Sequence, residues 1–269
     1  MVLDAVLVLL LPQQYKLIGA AVATAMSQAV GGGVPLVYFF RKNSSILRLG
    51  RTRYDGRAVL RACINGASEF MSNVSMSVVG MLYNVQLMSY AGENGVAAYG
   101  VMMYVSMIFS GAFIGYSIGT APVFSFHNGA GNHGELKSLL NKSLKMLAVF
   151  GITMLAASQL LAAPLARFFV GYDAELMALT ESGFRIFALS FFFMGFAIFG
   201  SGFFTALNDG LVSALISFLR TLVFQVGAVL LLPLVWDIDG IWFSIVVAEG
   251  MAMLLCGLFM VLKRKKYHY

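Results

Sequence analysis

Apolar residues run in long stretches along this chain, and polar residues gather in the gaps between them. Stretches of spanning length recur at 18–40, 62–91, 96–126, 144–170, 183–207, 211–235 and 240–262. A helix crossing the hydrocarbon core of a bilayer, about 30 Å thick, needs about 20 such residues at about 1.5 Å each. The pattern therefore predicts an all-α membrane protein, a polytopic helical bundle. The first apolar run, Val2 to Leu11, ends at Pro12 and is too short to span.

The pattern also repeats. A shift of 221 residues lays Val8-Leu9-Leu10-Leu11-Pro12 on Val229-Leu230-Leu231-Leu232-Pro233, Gly19 on Gly240, Gln28 on Glu249 and Lys42 on Lys263. Transporters are commonly built from two such repeats. The second copy reaches back to about residue 62. The first copy would then begin well before Met1, and the expectation is an amino-terminally truncated chain. Residues 1–47 read as the remnant of an N-terminal lobe, 48–61 as a basic loop and 62–269 as a C-terminal six-helix lobe.

Several spans carry internal detail. From Arg61 to Ala91, Asn65, Ser68, Glu69, Ser72 and Asn73 recur at three- and four-residue steps, which places them on one helix face. Asn84 and Gln86 follow on the same span, and Gly92-Glu93-Asn94-Gly95 predicts a tight turn. The next span contains Gly100, Gly111, Gly115 and Gly119, spaced for close backbone approach, and then Pro122, which favours a kink. Gly119 and Pro122 are the hinge candidates. His127 to Asn132 predicts a break, and Glu135 to Lys145 an amphipathic helix on the membrane surface, its lysines facing lipid phosphates. An outer segment, Pro164 to Glu181, precedes a Phe-rich span from Phe184 to Phe204 and a turn at Leu207-Asn208-Asp209-Gly210.

Composition agrees with the pattern. Of 269 residues, 59% are hydrophobic and 11% charged, where a soluble domain carries about 25% charged. The net charge of +6 would suggest a nucleic-acid partner in a soluble protein, but its distribution is topological. Arg41, Lys42, Arg48, Arg51, Arg53, Arg57 and Arg61 crowd the first long loop, Lys137, Lys142 and Lys145 follow two spans later, and Lys263 to Lys266 lie near the end. Alternating spans put all of these on one side, which the positive-inside rule makes cytoplasmic. The reading is a multi-pass protein of the bacterial cytoplasmic membrane, with its carboxyl terminus inside and lipids as its surroundings. Cys63 and Cys256 are too few for a disulfide framework. No metal cluster, phosphate loop or catalytic triad is recognisable, so an enzyme and a resident cofactor are not expected.

The order and spacing of several motifs resemble a known family. Gly115-Tyr-Ser-Ile-Gly-Thr-Ala-Pro-Val-Phe-Ser-Phe-His-Asn-Gly-Ala-Gly131 is followed by Leu136-Lys137 and Lys142. Gly19-Ala-Ala-Val-Ala-Thr-Ala-Met-Ser-Gln28, Gly66-Ala-Ser-Glu69 and Ser217-Phe-Leu-Arg220 add to it, with Asp4 and the Glu249 span. Together they are similar to the multidrug and toxic compound extrusion (MATE) family, and within it to MepA-like multidrug export proteins. The resemblance implies twelve helices in two six-helix lobes around a central cavity. It also implies export of organic cations or drugs in exchange for protons or sodium. This chain would hold the end of the fifth helix, the sixth helix and the whole second lobe, and would need the missing first lobe as a partner. The family's proton site in the first lobe's opening helix has no counterpart here. Its sodium-coupled members place acids midway along the seventh and tenth helices, whereas Glu69 lies nearer one end of its helix and 183–207 has no acid beyond its start.

Each candidate has a structural alternative. A carboxylate within a span costs about 2.5–3.5 kcal/mol on insertion scales unless it is protonated, paired or facing water, which makes Glu69 the first candidate for the cation pathway. Asn73 and Asn65 lie one turn away on either side, and Asn84 and Gln86 further along. The alternative for Glu69 is an interhelical hydrogen bond or a snorkelling acid. Glu249 corresponds to Gln28 in the repeat, which suggests a shared polar structural role, and Arg220 either pairs with a membrane acid such as Glu249 or anchors the cytoplasmic third of its helix. His127 reads as a polar cap rather than a proton shuttle. The competing functions are a lipid-linked sugar flippase of the same superfamily and a truncated fragment that transports nothing.

Overall fold

The computed structural model describes Val6, Pro12 and residues 16–41 and 55–269; the side chains of residues 16, 17, 20, 58, 61, 65, 67–69, 71 and 72 lie outside the description. The short apolar run at Val2 to Leu11, apart from Val6, and Lys42, Arg48, Arg51 and Arg53 of the basic loop also lie outside the described residues. The chain divides into two compact units, Met1–Gly56 and Arg57–Tyr269.

In the first unit, α1 (Lys16–Phe40) is a 25-residue helix with Pro35 inside it. The larger unit begins with α2 (Gly56–Gly129), whose backbone is helical apart from Gly92, at φ 60° and ψ −151°. That geometry is open to glycine and strained for other residues, and it folds the helix back on itself. The aromatic rings prove the reversal. Tyr83 and Tyr99 stack with centroids 5.1 Å apart and planes at 3°, although sixteen residues of straight helix would separate them by about 24 Å. The turn that the sequence spreads over four residues is thus concentrated at Gly92. The torsions stay helical through Gly119 and Pro122, so the kink expected at Pro122 is not a break in the backbone.

After the turn at Gly131, where φ is 65°, Asn132 caps α3 (His133–Val170), accepting a hydrogen bond from the Glu135 backbone. The expected separate surface helix is instead the first three turns of this one. Leu136, Leu140, Ser143 and Leu147 bury along a single face and carry the helix into the span without a breaker, while Lys137, Lys142 and Lys145 stay exposed. Pro164 lies within α3, and Asp173 caps α4 (Ala174–Phe187), accepting from the Glu175 and Leu176 backbones. The outer segment is thus the end of one helix and the start of the next.

The Phe-rich span also differs from expectation. It divides into the end of α4 and α5 (Ser190–Ala206), bent by 48° where Leu189 bonds back to Ile186 in a tightened turn. Next come α6 (Gly210–Phe218), a π-helical turn at Leu219–Phe224, and α7 (Gln225–Leu231), which together make one 22-residue span. Finally α8 (Pro233–Tyr267) breaks at Trp236 and Asp237 before running on as a regular helix.

Among the described residues five helices are long and apolar enough to cross a membrane, and the bent α4–α5 pair makes a sixth. The reversal at Gly92 divides one of the five, Asn73–Gly129, into two antiparallel legs. α5 is largely apolar and lies at the centre of the bundle, with α3, α6 and α8 against it. The second leg of α2 reaches it through Phe124, whose ring meets Phe203 edge-on at 5.1 Å. Outward-facing Ile, Leu, Val and Met side chains cover the periphery, where lipid replaces water as the solvent.

Candidate functional site

Packing in the bundle centre brings two of the sequence candidates together. Arg220 donates from Nε to both carboxylate oxygens of Glu249, at 3.0 Å each, and from Nη2 to Oε1 at 2.8 Å. Glu249 is 1% exposed and Arg220 20%. Arg220 lies midway along the span Gly210–Leu231, not in an end third where it would anchor to the interface. It sits on the π-helical turn, which carries an extra residue per turn and changes the direction of side chains that follow. Such turns recur at functional sites. Taking two charges out of water is costly, and their attraction repays it only when geometry and hydrogen bonding are good. Here the guanidinium presents its side to the carboxylate and satisfies both oxygens.

The pair has further polar neighbours. Tyr83 on the first leg of α2 and Cys256, two turns beyond Glu249, are within its electrostatic reach. The Tyr83 hydroxyl lies towards Ser244, whose own hydroxyl donates to the Gly240 carbonyl at 2.7 Å. The Tyr83, Thr180 and Ser190 hydroxyls and the Trp242 indole nitrogen are buried with no hydrogen-bond partner among the described residues.

A second polar feature, missed by the sequence reading, joins α5 to α6. Ser201 Oγ lies 2.9 Å from Ser213 Oγ and 3.0 Å from Ser217 Oγ, and Thr205 Oγ1 lies 2.7 Å from Ser213 Oγ. Thr205 gives its one proton to the Ser201 carbonyl at 3.1 Å. Ser213 is then left to donate to Thr205, while Ser201 faces both the hydroxyl and, at 3.5 Å, the carbonyl of Ser213, with Ser217 on its other side. Ser213, Ser217 and Arg220, spaced at four and three residues, make a polar stripe along the span.

The third cluster closes one end of the bundle. Asp209, in the turn between α5 and α6, accepts from Tyr267 at 2.7 Å and from Lys266 at 3.1 Å, with Lys263 at 3.8 Å. Burial raises the Asp209 pKa, but the Tyr267 and Lys266 hydrogen bonds and the nearby lysine charges outweigh it, and the carboxyl sits below its usual range. Tyr269 folds back with its ring edge-on to Phe203 at 5.2 Å and its hydroxyl on the Met260 carbonyl.

Asn84 and Gln86 do not join the ion pair. Asn84 is exposed and turns its amide back to the Gly80 carbonyl at 2.8 Å, while Gln86 is half-buried. Asn73 is exposed on α2, and the side chains of Glu69 and Asn65 lie outside the described residues. Among the described residues no group of three or more His, Cys, Asp or Glu side chains is placed to hold a metal.

These features define a polytopic helical membrane protein with charged groups paired at mid-span. The profile of the MatE family matches residues 70–230, more than half of the chain, and the chain belongs to this family of transporters. It is 22% identical over 239 residues to the multidrug export protein MepA of Staphylococcus haemolyticus, covering 88% of this chain and 52% of the relative. A MATE structure in complex with MaL6 superposes with a TM-score of 0.88 at 21% identity, covering 99% of this chain and 61% of that one. The outward-facing conformation of a multidrug resistance MATE transporter of the MOP superfamily gives 0.85 at 22% identity, covering 100% and 62%. The chain thus spans about half the length of the curated relatives it matches.

Proposed function

We propose that this chain is the larger part of a secondary active multidrug exporter, one that exchanges drug-like organic molecules for protons or sodium. Residues 62–269 would form the second lobe and residues 1–47 would belong to the first, and a whole first lobe would complete the cavity. The observation that carries the reading is the Arg220–Glu249 pair, held at the middle of two apolar helices. A bundle serving only as scaffold would be at least as stable with hydrophobic residues there, and ionisable groups inside membranes mark substrate and ion pathways. The basic loops support a cytoplasmic carboxyl terminus, and the staphylococcal relative supports a bacterial membrane.

The test is ethidium efflux from energised bacteria producing this chain, or a form extended at its amino terminus by the first-lobe helices. Glu69→Gln and Glu249→Gln variants of the extended form are run at equal expression. Export by the extended form, reduced by Glu249→Gln, supports the reading, and loss in Glu69→Gln would place Glu69 in the coupling path. Folded, membrane-inserted protein that exports nothing would rule the reading out.

A further inference from the structure

The end of the bundle where α3 begins and α8 finishes holds more positive charge than its own acids match. Asp209 is taken up by Lys263, Lys266 and Tyr267. That leaves Lys137, Lys142 and Lys145 on α3 and Arg264 and Lys265 on α8, all exposed, against Glu135 as the one carboxylate side chain among the described residues of these two helix ends. The two helices meet there through His133 and His268, whose rings lie edge to face with centroids 5.1 Å apart. They run in opposite directions. Lys137, one turn after His133, and Arg264, one turn before His268, therefore lie at the same depth beneath the imidazoles. Arg264 donates Nε to the Tyr269 carbonyl at 3.1 Å, which leaves its two Nη groups to a ligand.

Below this basic rim the two helices part. Each packs along α5 and hardly on the other. Gly151 of α3 lies against the Phe192 backbone of α5, and Gly200 of α5 lies against Cys256 of α8. Phe196 is midway between those two contacts, about 40° round the helix from each, so its half-buried ring looks out between α3 and α8. Leu144 of α3 and Met260 of α8 pack with Phe196 on the outside of the same core cluster and keep the seam apolar. On α8, Gly257 lies two turns before Arg264 on the same face, and a methyl group there would meet nothing within 4 Å. Protein does not fill the seam at that point.

We propose that this seam binds one anionic phospholipid, with its phosphate held by Lys137, Arg264 and the two imidazoles and an acyl chain laid between α3 and α8 over Phe196. The positive-inside rule accounts for the side on which these charges fall. It does not account for their closing the top of an apolar seam. A guanidinium and an ammonium suit a phosphate, one by its fork and the other as a point charge, and a neutral imidazole still has one N–H to donate. Basic pockets between membrane helices take acidic headgroups for this reason. A phosphatidylcholine brings its own ammonium to the rim and is repelled, whereas phosphatidylglycerol brings only the phosphate. A free phosphate meets the same cations but leaves the seam empty. The lipid would tie the start of α3 to the end of α8, and by binding only the folded lobe it would stabilise it. The inference does not depend on the exporter reading, since it concerns what holds the lobe and not what the protein carries.

The experiment uses the chain in dodecyl maltoside, with dioleoylphosphatidylglycerol as probe and dioleoylphosphatidylcholine as the zwitterionic control. Native mass spectrometry counts the bound lipid, and thermal unfolding reads its effect. One phosphatidylglycerol per chain is expected to bind about tenfold or more tighter than phosphatidylcholine, as charge-assisted hydrogen bonds allow, and to raise the melting temperature. K137Q/R264Q is expected to lose both the preference and the rise. K142Q/K265Q removes the same charge from faces turned away from the seam, where Met146 and Val149 on α3 and Leu258 and Val261 on α8 point outward, and is expected to keep both. Lys137→Arg keeps the charge and is expected to retain the binding. Gly257→Phe fills the seam without touching a charge and is expected to weaken phosphatidylglycerol severalfold; should K137Q/R264Q fail to fold, this variant still decides the matter. Inorganic phosphate in large excess is expected not to displace the lipid. Equal binding of the two lipids, or equal losses in the two double variants, would reduce the rim to diffuse surface charge and overturn the proposal. Displacement by inorganic phosphate, or unchanged binding in Gly257→Phe, would overturn it as well, by taking the acyl chain out of the site. Ethidium efflux decides the exporter reading separately.

Discussion

Tyr267 donates its hydroxyl to Asp209 at 2.7 Å, tying the end of the last helix to the turn between α5 and α6. Hydrogen bonds and lysine charges hold the Asp209 carboxyl below its usual pKa. A carboxyl depressed by folding contributes stability that is present above its unfolded pKa, about 4 for Asp, and lost as pH falls through the lower folded value. The melting temperature of the chain in detergent is expected to fall on acidification below about pH 4. Asp209→Asn should show a smaller part of that fall and a lower melting temperature at pH 7.

The ion pair makes an asymmetric prediction. Removing one partner, as in Glu249→Ala, strands a charge in the bundle and is expected to cost about 3–5 kcal/mol. Replacing both, as in R220M/E249M, is expected to be neutral or stabilising, by about 1–4 kcal/mol at most. Thermal unfolding of the three forms checks this. A double variant as unstable as the single one would mean that the pair is the better solution for stability itself.

Much of this was legible in the sequence, and the reasons are physical. Runs of apolar residues located the helices because a bilayer imposes their length, and a resemblance spread along the whole chain pointed to the family. The self-comparison drew attention to Glu249 as the position matching Gln28. What the sequence did not reveal were events at single residues. Nothing in Leu219-Arg220-Thr221 marks a π turn, because such turns arise from packing on neighbouring helices. The surface helix at Glu135 to Lys145 was separated from its span by charge, whereas Leu136, Leu140 and Leu147 continue the buried face and keep α3 whole. The hydroxyls of Ser201, Thr205, Ser213 and Ser217 were hidden for another reason: serine and threonine are ordinary in membrane helices, and only their meeting across two helices makes them a network.

That network carries its own test. The Ser213 hydroxyl contacts both Ser201 and Thr205, so Ser213→Ala breaks the network at its middle. Interhelical hydrogen bonds in membranes average about 0.6 kcal/mol, and loss of the two is expected to cost about 1 kcal/mol. Ser201→Ala should cost a similar amount, and the two changes together less than their sum, which a double-mutant cycle in denaturant measures.

Gly183 is a tight helix crossing near the aromatic centre. A methyl group there would lie 2.7 Å from Met102 Cε and 2.8 Å from Trp242 Cε2. The methionine end can swing aside, but the indole is fixed in the core. Gly183→Ala is expected to destabilise by about 1–3 kcal/mol, as overpacking does. Met102→Ala is expected to recover only part of that in the same melting assay, because the indole remains in the way.

The π-helical turn at Leu219–Phe224 also bears on how this chain can vary. Loss of one codon there would restore ordinary helical winding and leave a span still long enough for the bilayer, with the halves on either side keeping their faces, so the change falls on the side chains of the turn itself, Arg220 among them. Such a deletion would pass through membrane insertion and folding and still unseat Arg220 from Glu249. Among natural variants of this chain, length differences at those six residues therefore report on selection for what the protein handles, whereas length differences in its loops report on little more than tolerance.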